Sequence, residues 1–209
     1  MTATVSRHDQ PSIQSAKLGG FILLLCLVLA VAAALTAAPI VQRQLDDTQN
    51  MLSQVFPSDL YDNRISNEEY RLVINGQPVH FFLGRKQGQP SGIVLFADTT
   101  GYAGQIKMLL GINANGELTG VRITEHKETP GLGDLIDLAK SKWILGFNGK
   151  SLDNTSEKQW HVKKDGGEFD AFTGATITPR GVVKGVHEGL ELFAAHKNEL
   201  LHVSPEAKL

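Results

Sequence analysis

Hydrophobic and polar positions divide the chain into two zones. Residues 18–40 carry no charge and are rich in Leu, Val and Ala. As a helix this run would extend about 34 Å, long enough to cross a bilayer. The pattern predicts one transmembrane helix. The rival is a cleaved signal peptide, with Ala37-Ala38 as small residues near the cut and a soluble secreted product beginning near Ala38. The run exceeds a usual signal core, which favours an uncleaved anchor. Arg7 and Lys17 precede the run and only Arg43 follows closely, so the positive-inside rule puts the N-terminus in the cytoplasm and the larger part outside, in a bacterium the periplasm. Residues 1–17 then form a cytoplasmic tail. Val41, Leu45, Leu52, Val55 and Phe56 make an approximate helical stripe that Pro57 ends, so residues 41–69 are expected to be a juxtamembrane helix and linker.

From Tyr70 the period changes. Tyr70, Leu72 and Ile74 alternate with Arg71, Val73 and Asn75, and Asn75-Gly76 is a hairpin signal before a returning strand at 79–83. A short apolar strand follows at 92–96. Segments 105–113 and 117–125 flank Asn113-Ala114-Asn115-Gly116, a second hairpin. Residues 132–145 read as a helix with Leu135, Leu138 and Ile144 inward, and Trp143 and Phe147 as core aromatics. A loop at 148–160 leads to a short strand at His161-Val162. A final helix runs to about Leu201, burying Val182, Val183, Val186, Leu190 and Phe193 at three- and four-residue steps. Strands grouped before helices, without βαβ alternation, indicate an α+β domain over 70–203 and a tail at 204–209.

Composition excludes several classes. The net charge is −2 with Lys and Arg scattered, so no basic stripe points to nucleic acid. The single cysteine, Cys26, lies in the apolar run; no internal disulfide and no Cys-x-x-Cys metal or iron–sulfur spacing exists. His187 and Glu191 stand one helical turn apart and read as a solvated surface pair, so no metal site is assigned.

The densest chemistry lies at Asp170-Ala171-Phe172-Thr173-Gly174-Ala175-Thr176-Ile177-Thr178-Pro179. Small and hydroxylated residues feed a helix whose N-cap reads as Thr178 and whose first residue reads as Pro179. Such a helix start offers free N–H groups and positive dipole to a phosphate. Gly174 and Ala175 leave room for close backbone approach. No base stands beside Thr176 in the sequence to activate its hydroxyl, so covalent chemistry there would need a separate enzyme.

Asp170-x-x-Thr173-Gly174-Ala175-Thr176 resembles the flavinylation motif of the covalent-FMN-binding domain family. Glu128-Thr129-Pro130-Gly131-Leu132-Gly133 and Gly101-Tyr102-x-Gly104 resemble two further signatures of that family, in the same order. The resemblance implies FMN esterified through its phosphate to Thr176 by a flavin transferase that uses FAD. It also implies flavin contacts from Glu128, Thr129, Gly131 and Leu132, and a weaker one from Tyr102, which either covers the ring or only ends a strand. Asp170 either orients the loop, presents the motif to the transferase, or serves as an Asx-turn.

Two redox complexes carry such subunits: the Rnf (Rsx) electron-transport complex in its G subunit, and the sodium-translocating NADH:quinone reductase in its C subunit. The frame Gly166-Gly167-Glu168-Phe169-Asp170 through Thr178-Pro179-Arg180 is closer to the former. The resemblance implies an electron carrier without a catalytic residue of its own, in the bacterial inner membrane. Its partners would be membrane, iron–sulfur and flavin subunits of a ferredoxin- and NAD-linked, ion-translocating complex. A flavin-free periplasmic adaptor is the alternative from another class.

Overall fold

The computed structural model describes residues 11–209, with side chains described except at 11–14, 32 and 34–47. The chain divides into two units, Met1–Asp47 and Thr48–Leu209. Helix α1, Pro11–Ser53, fills the described part of the first unit and ends within the second. Leu18, Phe21, Leu23 and Leu27 on it are exposed, at 61, 63, 74 and 61%. Among the described residues no helix is long and apolar enough to cross a membrane. The expected span at 18–40 falls partly on positions 32 and 34–40, whose side chains lie outside the described set.

The second unit is α+β, as expected. Five antiparallel strands follow one another in space as in sequence: β1 Glu69–Ile74, β2 Gln77–Lys86, β3 Gln89–Thr100, β4 Gln105–Asn113 and β5 Leu118–Glu125. Asn75-Gly76 turns β1 into β2 with both φ angles positive, 51° and 78°, which suits the twist of a two-residue hairpin. Gln87-Gly88 does the same between β2 and β3 at 52° and 75°, so these strands are longer than their apolar stretches suggest.

Helix α2, Ile177–Leu201, covers one face of the sheet. Val182, Val183, Val186, Leu190 and Phe193 pack there with Phe81, Leu83, Ile93, Leu95, Met108 and Leu110. The other face is partly covered by residues 52–65. Leu52, Val55, Phe56 and Ile65 sit on Phe82, Val94 and Leu109. The cross-strand pair Gly111 and Gly120 opens a bare patch for this segment: a Cβ on Gly111 would stand 2.1 Å from the Val55 carbonyl oxygen. The Thr119 hydroxyl donates to that same oxygen at 2.5 Å. Residues expected to form a linker thus supply part of a second core. The C-terminal residues also join the sheet, Lys208 bridging to Tyr70 and the Leu209 N–H donating to the Glu69 carbonyl at 3.0 Å.

The expected helix at 132–145 is corrected. Two 3-10 turns, Gly133–Ile136 and Trp143–Phe147, stand there instead. Ser141 Oγ accepts from the Trp143 N–H at 3.0 Å, a group that a helix would have used, and Asp134 Oδ1 accepts from the Gly131 N–H just ahead of the segment at 2.7 Å. Ile136, Ile144 and Phe147 are fully buried, whereas Leu138 is 37% exposed and is not core. Trp143 meets Phe147 edge-on at 5.3 Å and Phe172 at 5.2 Å, and Phe169 stacks between Phe147 and Trp160 at 4.5 and 5.6 Å. Trp143 and Phe147 thus pack against rings carried by the 160–176 segment itself. Val162 and Phe169 share an isolated parallel bridge where a short strand is expected.

Candidate functional site

The motif loop delivers Thr176 to the start of α2, two residues earlier than its sequence suggests. The helix begins at Ile177 with Thr176 as N-cap, and Thr178 and Pro179 lie within its first turn. Proline fits there because first-turn N–H groups have no intrahelical partner. Thr176 has φ −86° and ψ −21°, and its side chain makes no capping hydrogen bond. Its hydroxyl is therefore not held by the helix end. Thr178 is wholly buried and its hydroxyl donates to Glu128 Oε2. The expectation of a Thr178 cap is corrected: the buried carboxylate outcompetes the helix end for that hydroxyl.

Upstream of Thr176 the chain makes a tight turn. The Ala175 N–H donates to the Phe172 carbonyl at 3.2 Å, and Gly174 takes φ 80°, a left-handed conformation that glycine adopts at little cost. Thr173 and Gly174 are exposed at its tip. Asp170 pairs with Lys163 at 2.7 Å on the surface, and its carbonyl accepts from Trp143 Nε1–H at 2.9 Å. Arg180 forks onto Asp165 at 2.6 and 2.7 Å, tying the first turn of α2 to the Lys163–Asp165 turn. That hydrogen-bonded contact lowers the Asp165 carboxyl from its ordinary pKa and raises the guanidinium.

Two further loops close on this helix start. After β5, His126 Nδ1 accepts from the Glu128 N–H at 3.0 Å while Nε2 faces Asp137 Oδ2 at 3.0 Å. The Leu132 and Gly133 N–H groups both donate to the Thr129 carbonyl, at 3.1 and 3.2 Å. This fold of the loop turns Leu132 outward, 42% exposed. After β3, the Gly101 N–H donates to the Gly104 carbonyl at 2.7 Å and leaves Tyr102 72% exposed at the tip. The Ala103 N–H donates to Glu128 Oε1 at 2.9 Å.

Between the three segments lies a cavity of about 350 Å³, lined by Tyr102, Glu128, Thr129, Leu132, Gly133, Gly174, Ala175, Thr176, Ile177 and Thr178. The tertiary structure thus gathers most of the candidate residues from all three motifs. Asp170, Thr173 and Gly131 are not among the lining residues. Ile177, 49% exposed beside Thr176, is a lining residue that sequence reasoning missed. The available signal was an apolar residue set between Thr176 and Thr178 of the motif. The lining combines apolar side chains (Tyr102, Leu132, Ile177) with polar ones (Glu128, Thr129, Thr176, Thr178), the balance expected for a flat heterocycle with one polar edge. Thr176 sits at the positive end of a 25-residue helix, where a phosphoryl group is electrostatically favoured. The residues present therefore fit an FMN.

Away from this cavity, His187 Nε2 lies 3.4 Å from Glu157 Oε2, and Glu191 is close to both. Both carboxylates are exposed, and the His187 ring stacks on Trp160 at 5.3 Å.

The class defined by this fold and site matches a known family. A family model described as FMN-binding domain matches residues 101–191, from the Gly101 turn through most of α2. The chain is 42% identical to the G subunit of the ion-translocating oxidoreductase complex of Pseudomonas aeruginosa over 190 residues, covering 88% of this chain and 89% of that protein. The protein of the same name from Vibrio cholerae is 42% identical over 179 residues, 83% of this chain and 85% of its own. The chain belongs to this family, the G subunits of ion-translocating oxidoreductase complexes. Among solved structures, Shewanella oneidensis NqrC aligns with 65% of this chain and 70% of its own at 25% identity and a TM-score of 0.47.

Proposed function

We propose that this chain is an electron-carrying subunit of a membrane-bound, ion-translocating redox complex, with FMN joined covalently through its phosphate to the Thr176 hydroxyl. One observation carries the reading. Thr176 lines a cavity built from all three motif segments, at a helix start, with a side chain that makes no capping bond. When bound, the flavin supplies the one- and two-electron chemistry, since a phosphoester leaves its ring free.

The chain's own residues bind and orient. The turn at Gly174 brings backbone close to the phosphoryl position. Leu132, Ile177 and Tyr102 offer apolar surface to the ring face and exclude water from it. Glu128 and Thr129 line the wall. Asp170, Thr173 and Gly131 support the surrounding turns, and Asp170 and Thr173 remain accessible to a flavin transferase that draws FMN from FAD.

The same reading assigns residues 18–40 to a single inner-membrane span, with residues 1–17 cytoplasmic and the FMN domain periplasmic. The uncharged sequence and the exposed leucines of α1 support it. Residues 41–47 lead from the span to the FMN domain, to which residues 52–65 and Lys208–Leu209 also contribute. The partners are the other membrane, iron–sulfur and flavin subunits of the complex.

Intact mass and in-gel flavin fluorescence test the attachment. Protein from a host that has the transferase should carry one FMN and give a fluorescent band, and Thr176→Val should lose both. An unmodified mass and dark band for the unsubstituted chain would refute attachment and leave the flavin-free adaptor as the better reading.

A further inference from the structure

Glu128 lines the cavity, yet its carboxylate is committed within the protein. The residue is 5% exposed. Oε1 accepts from the Ala103 N–H at 2.9 Å and Oε2 accepts from the Thr178 hydroxyl. Gly101 and Gly133 enclose it: a Cβ on the first would stand 2.4 Å from Oε1, and on the second 2.6 Å from Oε2. Three segments far apart in sequence therefore converge on one buried side chain. They are the turn after β3, the loop after β5 and the first turn of α2. Thr178 lies two residues after Thr176.

We propose that Glu128 is a positioning residue for flavin attachment: it fixes the first turn of α2 and thereby aims the Thr176 hydroxyl. The inference rests on the reading of Thr176 as the attachment point. A buried carboxylate that loses a hydrogen-bond partner is strongly penalised, so the arrangement persists as a unit and holds the helix start in one place. Bond formation is sensitive to such placement, a shift of about 1 Å costing on the order of a hundredfold in rate. In the step itself the Thr176 Oγ–phosphorus bond forms as the phosphorus–oxygen bond to the AMP half of the flavin dinucleotide breaks. AMP departs and the hydroxyl proton is released. Glu128 is assigned no bond change in this step: its oxygens accept from Ala103 and Thr178, and its part is to hold the helix start.

The glutamine variant separates geometry from charge. In Glu128→Gln the amide oxygen accepts from Ala103 and the amide nitrogen donates to Thr178, whose hydroxyl can accept as well as donate. Glu128→Ala removes the link. Thr178→Val breaks only its α2 end and serves where the alanine variant fails to fold, and Thr178→Ser restores it.

Full-length flavin-free chain is incubated with flavin transferase and FAD, and the labelling rate is followed by covalent flavin fluorescence over a range of chain concentrations. Circular dichroism at the assay temperature confirms folding. Glu128→Gln and Thr178→Ser should label within about threefold of the unsubstituted chain, whereas Glu128→Ala and Thr178→Val should lose about tenfold or more in kcat while folded. Unimpaired labelling of either disruptive variant overturns the proposal, and so does a glutamine variant as slow as the alanine variant. An unsubstituted chain that takes no flavin refutes the attachment at Thr176 and this inference with it, a pattern distinct from uniform labelling of all variants.

Discussion

Gly181→Ala sets helix propensity against packing, and the structure decides the sign. Alanine in a helix interior is favoured over glycine by about 1 kcal/mol, so propensity alone predicts a more stable protein. Gly181, however, lies where α2 meets the end of β3. A Cβ there would stand 2.4 Å from the Thr100 carbonyl oxygen, against 3.4 Å or more for ordinary contact. Relief requires a movement of about 1 Å, and the obstacle is backbone fixed by the pairing of Thr100 with Gln105. Such overpacking costs about 1–3 kcal/mol. The same movement strains the hydrogen bond from the Thr99 hydroxyl to the Gly181 carbonyl at 2.9 Å, which adds about 0.5–1.5 kcal/mol. The net effect is a destabilisation of about 0.5–3.5 kcal/mol. At roughly 2–4 °C per kcal/mol for a domain of this size, Tm should fall by about 1–14 °C. The assay is thermal unfolding of the full chain in detergent, followed by circular dichroism.

Two companion substitutions sharpen the result. Gly189→Ala meets the Leu110 Cδ1 methyl, the movable end of a side chain, and should cost less. Gly146→Ala has no atom within 4 Å of the new Cβ and should cost nothing measurable. A Gly181→Ala protein as stable as the unsubstituted chain, or more so, would refute the close seating of α2 on β3.

Three other substitutions probe separate features. Trp143→Phe removes the bond to the Asp170 carbonyl and should cost about 1 kcal/mol in urea unfolding, without loss of the ring contacts to Phe147 and Phe172. Burial disfavours ionisation of Glu68, but hydrogen bonds from Lys208 and Tyr70 and the charges of Lys208 and Arg85 outweigh it and hold its carboxyl below its ordinary pKa. Its stabilising contribution is therefore complete above the unfolded-state pKa and lost as pH falls through the lower folded value. Glu68→Gln should weaken the acid dependence of the urea midpoint measured between about pH 5 and pH 3, and an unchanged profile would refute the assignment. Tyr102→Ala should leave Tm unchanged, since the side chain is 72% exposed, but should alter the fluorescence of attached flavin; identical spectra would remove Tyr102 from the site.

The α+β class, the first hairpin, the buried face of α2 and the three motif segments were all legible in the sequence, because each is local. Period-two and period-3.6 patterns and positive-φ turn residues act over a few positions. The cavity was legible only through resemblance, since nothing local brings Gly101, Glu128 and Thr176 together. The tertiary structure decided four matters. It put Thr178 on Glu128 rather than at a helix cap, since a buried carboxylate demands a donor. It broke 132–145 into 3-10 turns, where Ser141 takes the Trp143 N–H and Asp134 takes that of Gly131 just before. It laid residues 52–65 on the sheet, where Gly111 and Gly120 leave space no side-chain pattern announces. It turned Ile177 to the cavity, an orientation set by the phase of α2 against the sheet. Each depends on contacts between segments far apart in the chain, which periodicity does not encode.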